Sequence, residues 1–434
     1  MPIDPVLAFY LAPLVAIWTY YAVSRKRDER RARAQHDEAV KSGLDQPASL
    51  HPVIDPAKCI GCKACVNACP EGEILGLIGN KARLLEPANC IGHGACKAAC
   101  PAGAITLVFG TETRGVDLPV VSPNFETNVP GLFIAGELGG MGLIRNAVEQ
   151  GRQAIEEIAR RRRASSQGVL DVLIVGAGPA GLSASLGALE RGLRFVTIEQ
   201  DSLGGTIAHY PRGKVVMTAP VKLPMIGAMS FREVSKEALM TFWSDVIAET
   251  GLAVQFQERV EAIQATAGGF VVRTTRTTYA TCSVLLAIGR RGTPRRLGVP
   301  GEEQPKVVYR MVDPEQFRGQ HVLVVGGGDS ALEAAASVAD EPGTQVTLSY
   351  RSAAFARAKT KNRDRVEAAR TSGRLRVVLS SEVVSIEPDR VVLKSDDQTF
   401  ELQNDAVIVC AGGILPTDFL KSCGIEIETK YGTA

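Results

Sequence analysis

Residues 171–181 read "DVLIVGAGPAG", and their reading decides the fold of the chain. A short apolar run of strand length enters a turn carrying Gly176, Gly178 and Gly181, and "LSASLGALERG" continues from it as a helix. Glycines so spaced permit a tight turn, let a pyrophosphate approach the backbone and let helix pack on strand. The pyrophosphate then faces the helix N-terminus. The next apolar run, "RFVTIEQ", ends near Glu199, about where an acid binds the adenosine ribose hydroxyls. Turn and acid together predict a dinucleotide-binding βαβ unit.

A second turn of the same kind stands at 321–335, "HVLVVGGGDSALEAA". Gly326, Gly328 and Ala331 take the glycine positions, with Asp329 and Ser330 at the start of the helix. The strand that follows, "QVTLSYRSAAFARAK", offers no acid but supplies Arg351, Arg357 and Lys359. Arginine suits a 2′-phosphate, whereas a bare ribose gains little from it, so NADPH is favoured over NADH. Ordinary surface charge, with NADH serving equally well, is the plainer alternative.

Around these two units, 434 residues suggest two to four domains. A net charge of +2 and 43 glycines suit an α/β protein rich in tight turns. With 5% aromatics and no interleaving of basic and aromatic residues, no nucleic-acid platform is expected. Ten cysteines are present, and seven of them fall between Cys59 and Cys100 with ligand spacing rather than the scatter of a disulfide framework.

Residues 59–70, "CIGCKACVNACP", place Cys59, Cys62, Cys65 and Cys69 in the C-x2-C-x2-C-x3-C-P run of bacterial ferredoxins. A second copy at 90–101, "CIGHGACKAACP", has His93 in place of its second cysteine. The segment resembles a two-cluster ferredoxin domain over about 50–108. That resemblance implies one 4Fe–4S cluster on Cys59, Cys62, Cys65 and Cys100, and a second on Cys69, Cys90 and Cys96. For His93 three outcomes stand open: ligation of the fourth iron, a three-iron cluster, or a bystander role beside an external ligand. A pair of zinc sites is disfavoured by the two tandem copies, each closed by Cys-Pro.

From Val6 to Val23, "VLAFYLAPLVAIWTYYAV" carries no charge, and "SRKRDERRAR" comes directly after it. Length, aromatic belt and basic flank predict a single-pass anchor in the inner, cytoplasmic membrane with the bulk of the chain in the cytoplasm. No positive charge precedes the apolar run, so it does not read as a signal peptide, although Pro13 would kink a helix there. The run "ARRRRASSQG" at 159–168 reads as a solvated linker.

Over roughly 111–434 the chain is similar to the thioredoxin-reductase-like flavoproteins, on "GGGDSALEAA", "VLLAIGRRGTPRRLGVPGE" and "DAVIVCAGGILPTDFL". The resemblance implies FAD at the first turn and a pyridine nucleotide at the second, with dimers common in the family. It also implies that Gly204, Gly205 and Thr206 lie along the flavin. The family's last FAD-contacting segment resembles residues 127–158, "TNVPGLFIAGELGGMGLIRNAVEQGRQAIEEI", with Gly136 and Glu137 at its contact positions. Here that segment precedes the first turn instead of ending the chain, so a circular permutation is expected. No C-x-x-C pair occurs in the flavoprotein part: Cys282, Cys410 and Cys423 read as core residues, and His209 and Tyr210 as structural.

The expected fold is α/β, with two Rossmann-like nucleotide-binding domains, a small α+β dicluster ferredoxin domain and one N-terminal transmembrane helix. The expected segments are an anchor at 1–48, a ferredoxin domain at 49–109, a permuted FAD-domain piece at 110–163, the FAD domain at 168–296, the NAD(P)H domain at 297–403 and a return to the FAD domain at 404–434. The expected activity is electron transfer between NAD(P)H and a one-electron partner, a redox protein or a membrane component, through FAD and two Fe–S clusters. Flavin handles the hydride, so no catalytic acid or base is assigned. A thiol-type reductase without an internal dithiol, or a redox-sensing subunit, are the alternatives.

Overall fold

The computed structural model describes residues 5–47, 50–140, 142–161, 168–217, 220–231, 233–355, 358–395 and 398–432. The chain forms two compact units, Met1–Gly115 with Tyr431–Ala434, and Val116–Lys430.

In the first unit a single helix, Pro5–Lys41, carries both the apolar stretch and the basic segment. Its later half is seated on the cysteine segment. Ala32 and Ala39 are buried there, Arg31 pairs with Glu73 at 2.7 Å, Asp28 pairs with Lys63 at 2.7 Å, and Gly79 N–H donates to Glu29 at 2.9 Å. Anchor and ferredoxin segments, expected as separate pieces, are therefore parts of one unit.

The expected membrane anchor, and the single-pass membrane location built on it, are corrected by this helix. Among the described residues no helix is long and apolar enough to cross a membrane. Ahead of its first charged residue, Arg25, the helix is uncharged but not uniformly apolar. It holds Tyr10, Pro13, Trp18, Thr19, Tyr20 and Tyr21, and the same helix passes directly into the arginines from Arg25.

The cysteine segment is built twice. Strand His51–Ile54 pairs antiparallel with Ile105–Val108, and Leu75–Ile78 forms a hairpin with Lys81–Leu84. Short helices Ala64–Ala68 and Ala95–Ala98 each start within a cysteine loop. Each loop needs a glycine in left-handed backbone. A Cβ on Gly61 (φ 68°) would lie 2.2 Å from the Asn80 carbonyl oxygen, and one on Gly92 (φ 77°) 2.7 Å from that of Leu50.

The second unit holds two parallel sheets. The first runs in the order Val254–Gln255, Phe195–Ile198, Val172–Val175, Val284–Leu286, Leu132–Ile134. The second runs Val307–Val308, Ala406–Val409, His321–Val325, Gln345–Ser349, Leu375–Val378. The central strands are covered on both faces and so read as unbroken apolar runs rather than alternating ones, as in "VLIV" at 172–175. A three-stranded antiparallel sheet accompanies each parallel one.

The segment that precedes the first turn completes the first sheet. Leu132–Ile134 is its edge strand, and helix Ile144–Arg160 packs Ala154, Ile155 and Ile158 against Ala180, Ala184 and Ala188 of helix Pro179–Glu190. At the other end of the chain, Ile427–Lys430 pairs antiparallel with Val116–Pro119. Residues 162–167, which include most of the arginine-rich linker, lie outside the described residues.

At the crossing of those helices a Cβ on Gly151 would lie 2.0 Å from the Ala180 carbonyl oxygen. Gly151→Ala is expected to cost about 1–3 kcal/mol by forcing the helices apart. Denaturant unfolding of the flavin-loaded protein checks this, and unchanged stability would mean the helices do not meet there.

Candidate functional site

The carboxyl ends of the first sheet open on a cavity of about 530 Å³, bounded by Gly136, Gly178, Glu199, Gly205, Thr206 and Tyr210 among others. The three glycines of the first turn do different work. A Cβ on Gly176 would lie 2.5 Å from the Ala287 carbonyl oxygen, and one on Gly181 1.8 Å from that of Gly176, so both serve close packing. A Cβ on Gly178 would meet nothing nearer than Gly205 Cα at 4.0 Å. Gly178 thus leaves open space at the N-terminus of helix Pro179–Glu190, where unpaired backbone N–H groups favour an anion.

Glu199 is buried and fixed by two backbone donors, Ala177 N–H at 2.7 Å and Asp201 N–H at 3.0 Å. Its oxygens keep further acceptor capacity for hydroxyls. Gly136 N–H donates to Gln150 Oε1 at 2.8 Å, which ties the strand end to helix Ile144–Arg160. Glu137 then faces the cavity. Desolvation by the surrounding protein pushes its carboxyl pKa up, although the residue is exposed to the open cavity, and Arg290 and Arg291 oppose the shift. Gly205 and Thr206 line the cavity; Gly204 instead backs onto Met240, whose sulfur would be 2.6 Å from an added Cβ.

A second cavity, about 840 Å³, lies at the carboxyl ends of the second sheet and is lined by Gly326, Gly328, Asp329, Ser330 and Arg351. A Cβ on Gly326 would lie 2.4 Å from the Cys410 carbonyl oxygen, whereas one on Gly328 would meet nothing within 4 Å. The division of labour at the first turn is repeated. Ala331 is buried in the first turn of helix Asp329–Ala339, and Asp329 accepts from Lys359 N–H at 2.8 Å and Asn362 Nδ2 at 2.7 Å, which pins the following loop. Arg351 is exposed on that loop, and Arg357 lies outside the described residues.

The two cavities share walls: Glu137, Thr206, Arg291 and Pro294 border both. Sequence reasoning did not single out Arg290 and Arg291, although their place directly after the "VLLAIG" strand is a usable signal. It also gave no weight to Arg310, which lies 2.9 Å from the His209 ring nitrogens and 3.1 Å from Asp201. Burial and Arg310 push the His209 pKa down, against Asp201. Cys410 lines the second cavity, but burial pushes its thiol up to about 11, so it carries little thiolate at neutral pH.

Within the first unit, Cys59, Cys62, Cys65 and Cys100 border one small cavity, and Cys69, Cys90, His93 and Cys96 border another. Cys59 Sγ accepts from Ala82 N–H at 3.4 Å and Cys100 Sγ from Ala104 N–H at 3.3 Å. Burial raises the thiol pKa of Cys65, Cys69, Cys90 and Cys96, so metal binding must displace their protons. None of the ten cysteines is in a disulfide. Among the described residues no three His, Cys, Asp or Glu side chains converge on a single metal ion. The sulfur-rich, cavity-facing donor sets fit Fe–S clusters.

Comparison with known proteins agrees with this geometry. Residues 173–433 match the pyridine nucleotide-disulphide oxidoreductase family, and residues 51–101 match a 4Fe–4S dicluster domain. The chain belongs to the pyridine nucleotide-disulphide oxidoreductase family and is a flavin-dependent NAD(P)H oxidoreductase carrying a dicluster domain. It is 31% identical over 271 residues to the ferredoxin–NADP reductase of Ignicoccus hospitalis, a match covering 60% of this chain and 83% of that one. It is 28% identical over 267 residues to the bacilliredoxin reductase of Bacillus subtilis, covering 60% and 82%. In fold it is similar to the bacillithiol disulfide reductase of Staphylococcus aureus, with a TM-score of 0.53 at 24% identity over 61% of this chain and 82% of that one.

The open glycines give a paired expectation. Gly178→Val should fold normally, because its Cβ meets nothing nearer than Gly205 Cα at 4.0 Å, yet lose bound flavin. Gly328→Val should keep flavin and lose NADPH binding. Flavin absorbance after gel filtration and a fluorescence titration with NADPH distinguish the two, and flavin retained by Gly178→Val would remove that glycine from the site.

Proposed function

We propose that this chain transfers electrons between NADPH and a separate one-electron redox protein through FAD and two 4Fe–4S clusters. The wall shared by the two nucleotide cavities is the observation that carries the proposal, since hydride exchange requires contact between nicotinamide and flavin. When bound, flavin supplies the conversion between a hydride pair and single electrons, which the clusters accept or donate.

The residues divide the work. Gly176, Gly178 and Gly181 with the Pro179–Glu190 helix would receive the FAD pyrophosphate and Glu199 its ribose, while Gly136, Glu137, Gly205 and Thr206 would form the flavin's surroundings and Gly204 would shape the turn behind them. Gly326, Gly328, Asp329, Ser330 and Ala331 would build the NADPH pyrophosphate turn, and Arg351 would meet the 2′-phosphate. Cys59, Cys62, Cys65 and Cys100 would hold one cluster; Cys69, Cys90, Cys96 and His93 would hold the other, with His93 as fourth ligand. Support for the last comes from the bordering of one cavity by these four side chains.

The domain division offered is a circularly permuted flavoprotein, in which residues from 116 to 161 complete the FAD domain ahead of its first turn. The pairing of Ile427–Lys430 with Val116–Pro119 supports it, because the two ends that an unpermuted chain would join lie side by side. A disulfide or thiol-type reductase is the second reading, favoured by the names of the Bacillus subtilis relative, a bacilliredoxin reductase, and of the Staphylococcus aureus structure, a bacillithiol disulfide reductase. Turnover with low-molecular-weight disulfides would speak for it.

Anaerobic titration with NADPH, following flavin absorbance and cluster paramagnetic resonance together, is expected to bleach the flavin as cluster signals grow. Clusters that stay oxidised at every potential NADPH reaches would overturn transfer in that direction. Arg351→Ala is expected to raise KM for NADPH about tenfold while leaving NADH unchanged, from loss of one charge-assisted contact. Equal effects on the two nucleotides would remove Arg351 from the 2′-phosphate.

A further inference from the structure

The second cysteine cavity has a carboxylate behind its one non-sulfur member. His93 borders the cavity with Cys69, Cys90 and Cys96, whereas Glu71 does not border it. Glu71 stands at the imidazole instead, with Oε1 3.4 Å from His93 Nε2. Both side chains are largely buried, with 23% of each exposed. The loop that supplies Cys69 also places Glu71, which comes directly after Cys69-Pro70.

The internal repeat supplies a control within the same molecule. In the first site Cys62 holds the position of His93, and the residue after its crossing Cys100-Pro101 is Ala102, which borders the first cavity. Thus the loop that brings a cysteine to a four-cysteine site is followed by alanine, and the loop that brings one to the histidine site is followed by glutamate. Of the positions at which the two copies differ, these two meet in space in the second site, at 3.4 Å.

Chemistry gives the pairing a purpose. A thiolate binds iron without an orienting partner. A neutral imidazole has one N–H and one lone pair, and which nitrogen ligates is set by the hydrogen bond the other makes. Exchange of a thiolate for an imidazole also removes one negative charge from the cluster's surroundings, and a carboxylate against the ring restores it.

We propose that Glu71 is the positioning residue of the second cluster: its carboxylate accepts the Nε2–H of His93, leaves Nδ1 for iron, and returns the negative charge that histidine removes. The proposal rests on the assignment of His93 as a ligand.

The test uses the full chain with both clusters, labelled with 15N-histidine and reduced in an anaerobic redox titration followed by paramagnetic resonance. Wild-type protein is expected to show strong nitrogen coupling in the second cluster only, and His93→Cys to abolish it. Glu71→Gln should make that cluster easier to reduce by about tenfold in its equilibrium, about 59 mV for a one-electron couple, with the first cluster unmoved. Glu71→Asp, which keeps the charge, should shift it less. Nitrogen coupling with an unmoved potential in Glu71→Gln would overturn the role of Glu71 and leave His93 a ligand. Absence of coupling in the wild type would overturn the ligation itself, and the role of Glu71 with it. If Glu71→Gln loses the second cluster while Glu71→Asp keeps it with the wild-type coupling, the carboxylate is required for ligation and the proposal stands. Loss in both variants, with the first cluster intact, would make Glu71 a builder of the loop and overturn it.

Discussion

The pairing of Leu132–Ile134 with Val284–Leu286 is the interaction on which the nucleotide-binding unit depends. Leu132 sits beside Val284, Phe133 beside Leu285 and Ile134 beside Leu286 in parallel register, and these side chains are buried. Backbone groups of a strand in such a place have no water to turn to, so the ladder must be made or its buried groups left unpaired at about 1–3 kcal/mol each. Once the strand is set, its carboxyl end delivers Gly136 and Glu137 to the cavity, and the helix after it can return only over Pro179–Glu190. Glu137 therefore reaches the boundary between the two cavities because of a strand that lies forty residues ahead of the first glycine turn.

Much of this was legible in the sequence, because the information is local. The apolar run into Gly176, the acid at Glu199, the second turn at Gly326 and the two cysteine runs each fix a short-range geometry that few other patterns share. The glycine spacing implied a turn, an opening for pyrophosphate and a close helix contact, but not the atoms that each glycine meets. Gly176 and Gly181 are held against carbonyl oxygens, while Gly178 and Gly328 face open volume, and that difference depends on the atoms opposite in three dimensions. For the same reason Arg291 was overlooked: its importance comes from neighbours at Glu137 and Tyr210, which are far from it in sequence.

The N-terminal helix shows where a local criterion fails. An uncharged window between Val6 and Val23 meets a length threshold, yet such a window weighs every residue without regard to its polarity at depth or to the residues beyond its end. The structure continues that window without a break into a charged helix whose alanines and arginines hold the cysteine segment. The basic residues read as a topological flank are thus partly spoken for: Arg31 pairs with Glu73, and Arg33 with Glu29. Charge counted along a sequence carries no record of its partners.

The absence of a dithiol from the flavoprotein part has a consistent physical setting. Cys410 is the one cysteine that borders a nucleotide cavity among the described residues, and burial raises its pKa to about 11, which suppresses the thiolate that disulfide exchange requires. Cys423 is likewise shifted upward by burial, and it packs with the apolar core. Thiol chemistry is thereby disfavoured on the side where the nucleotides would meet, while seven cysteines and one histidine are gathered in a unit of their own around two cavities. A chain that separates these two environments suits a division in which a hydride pair is handled in one and single electrons in the other.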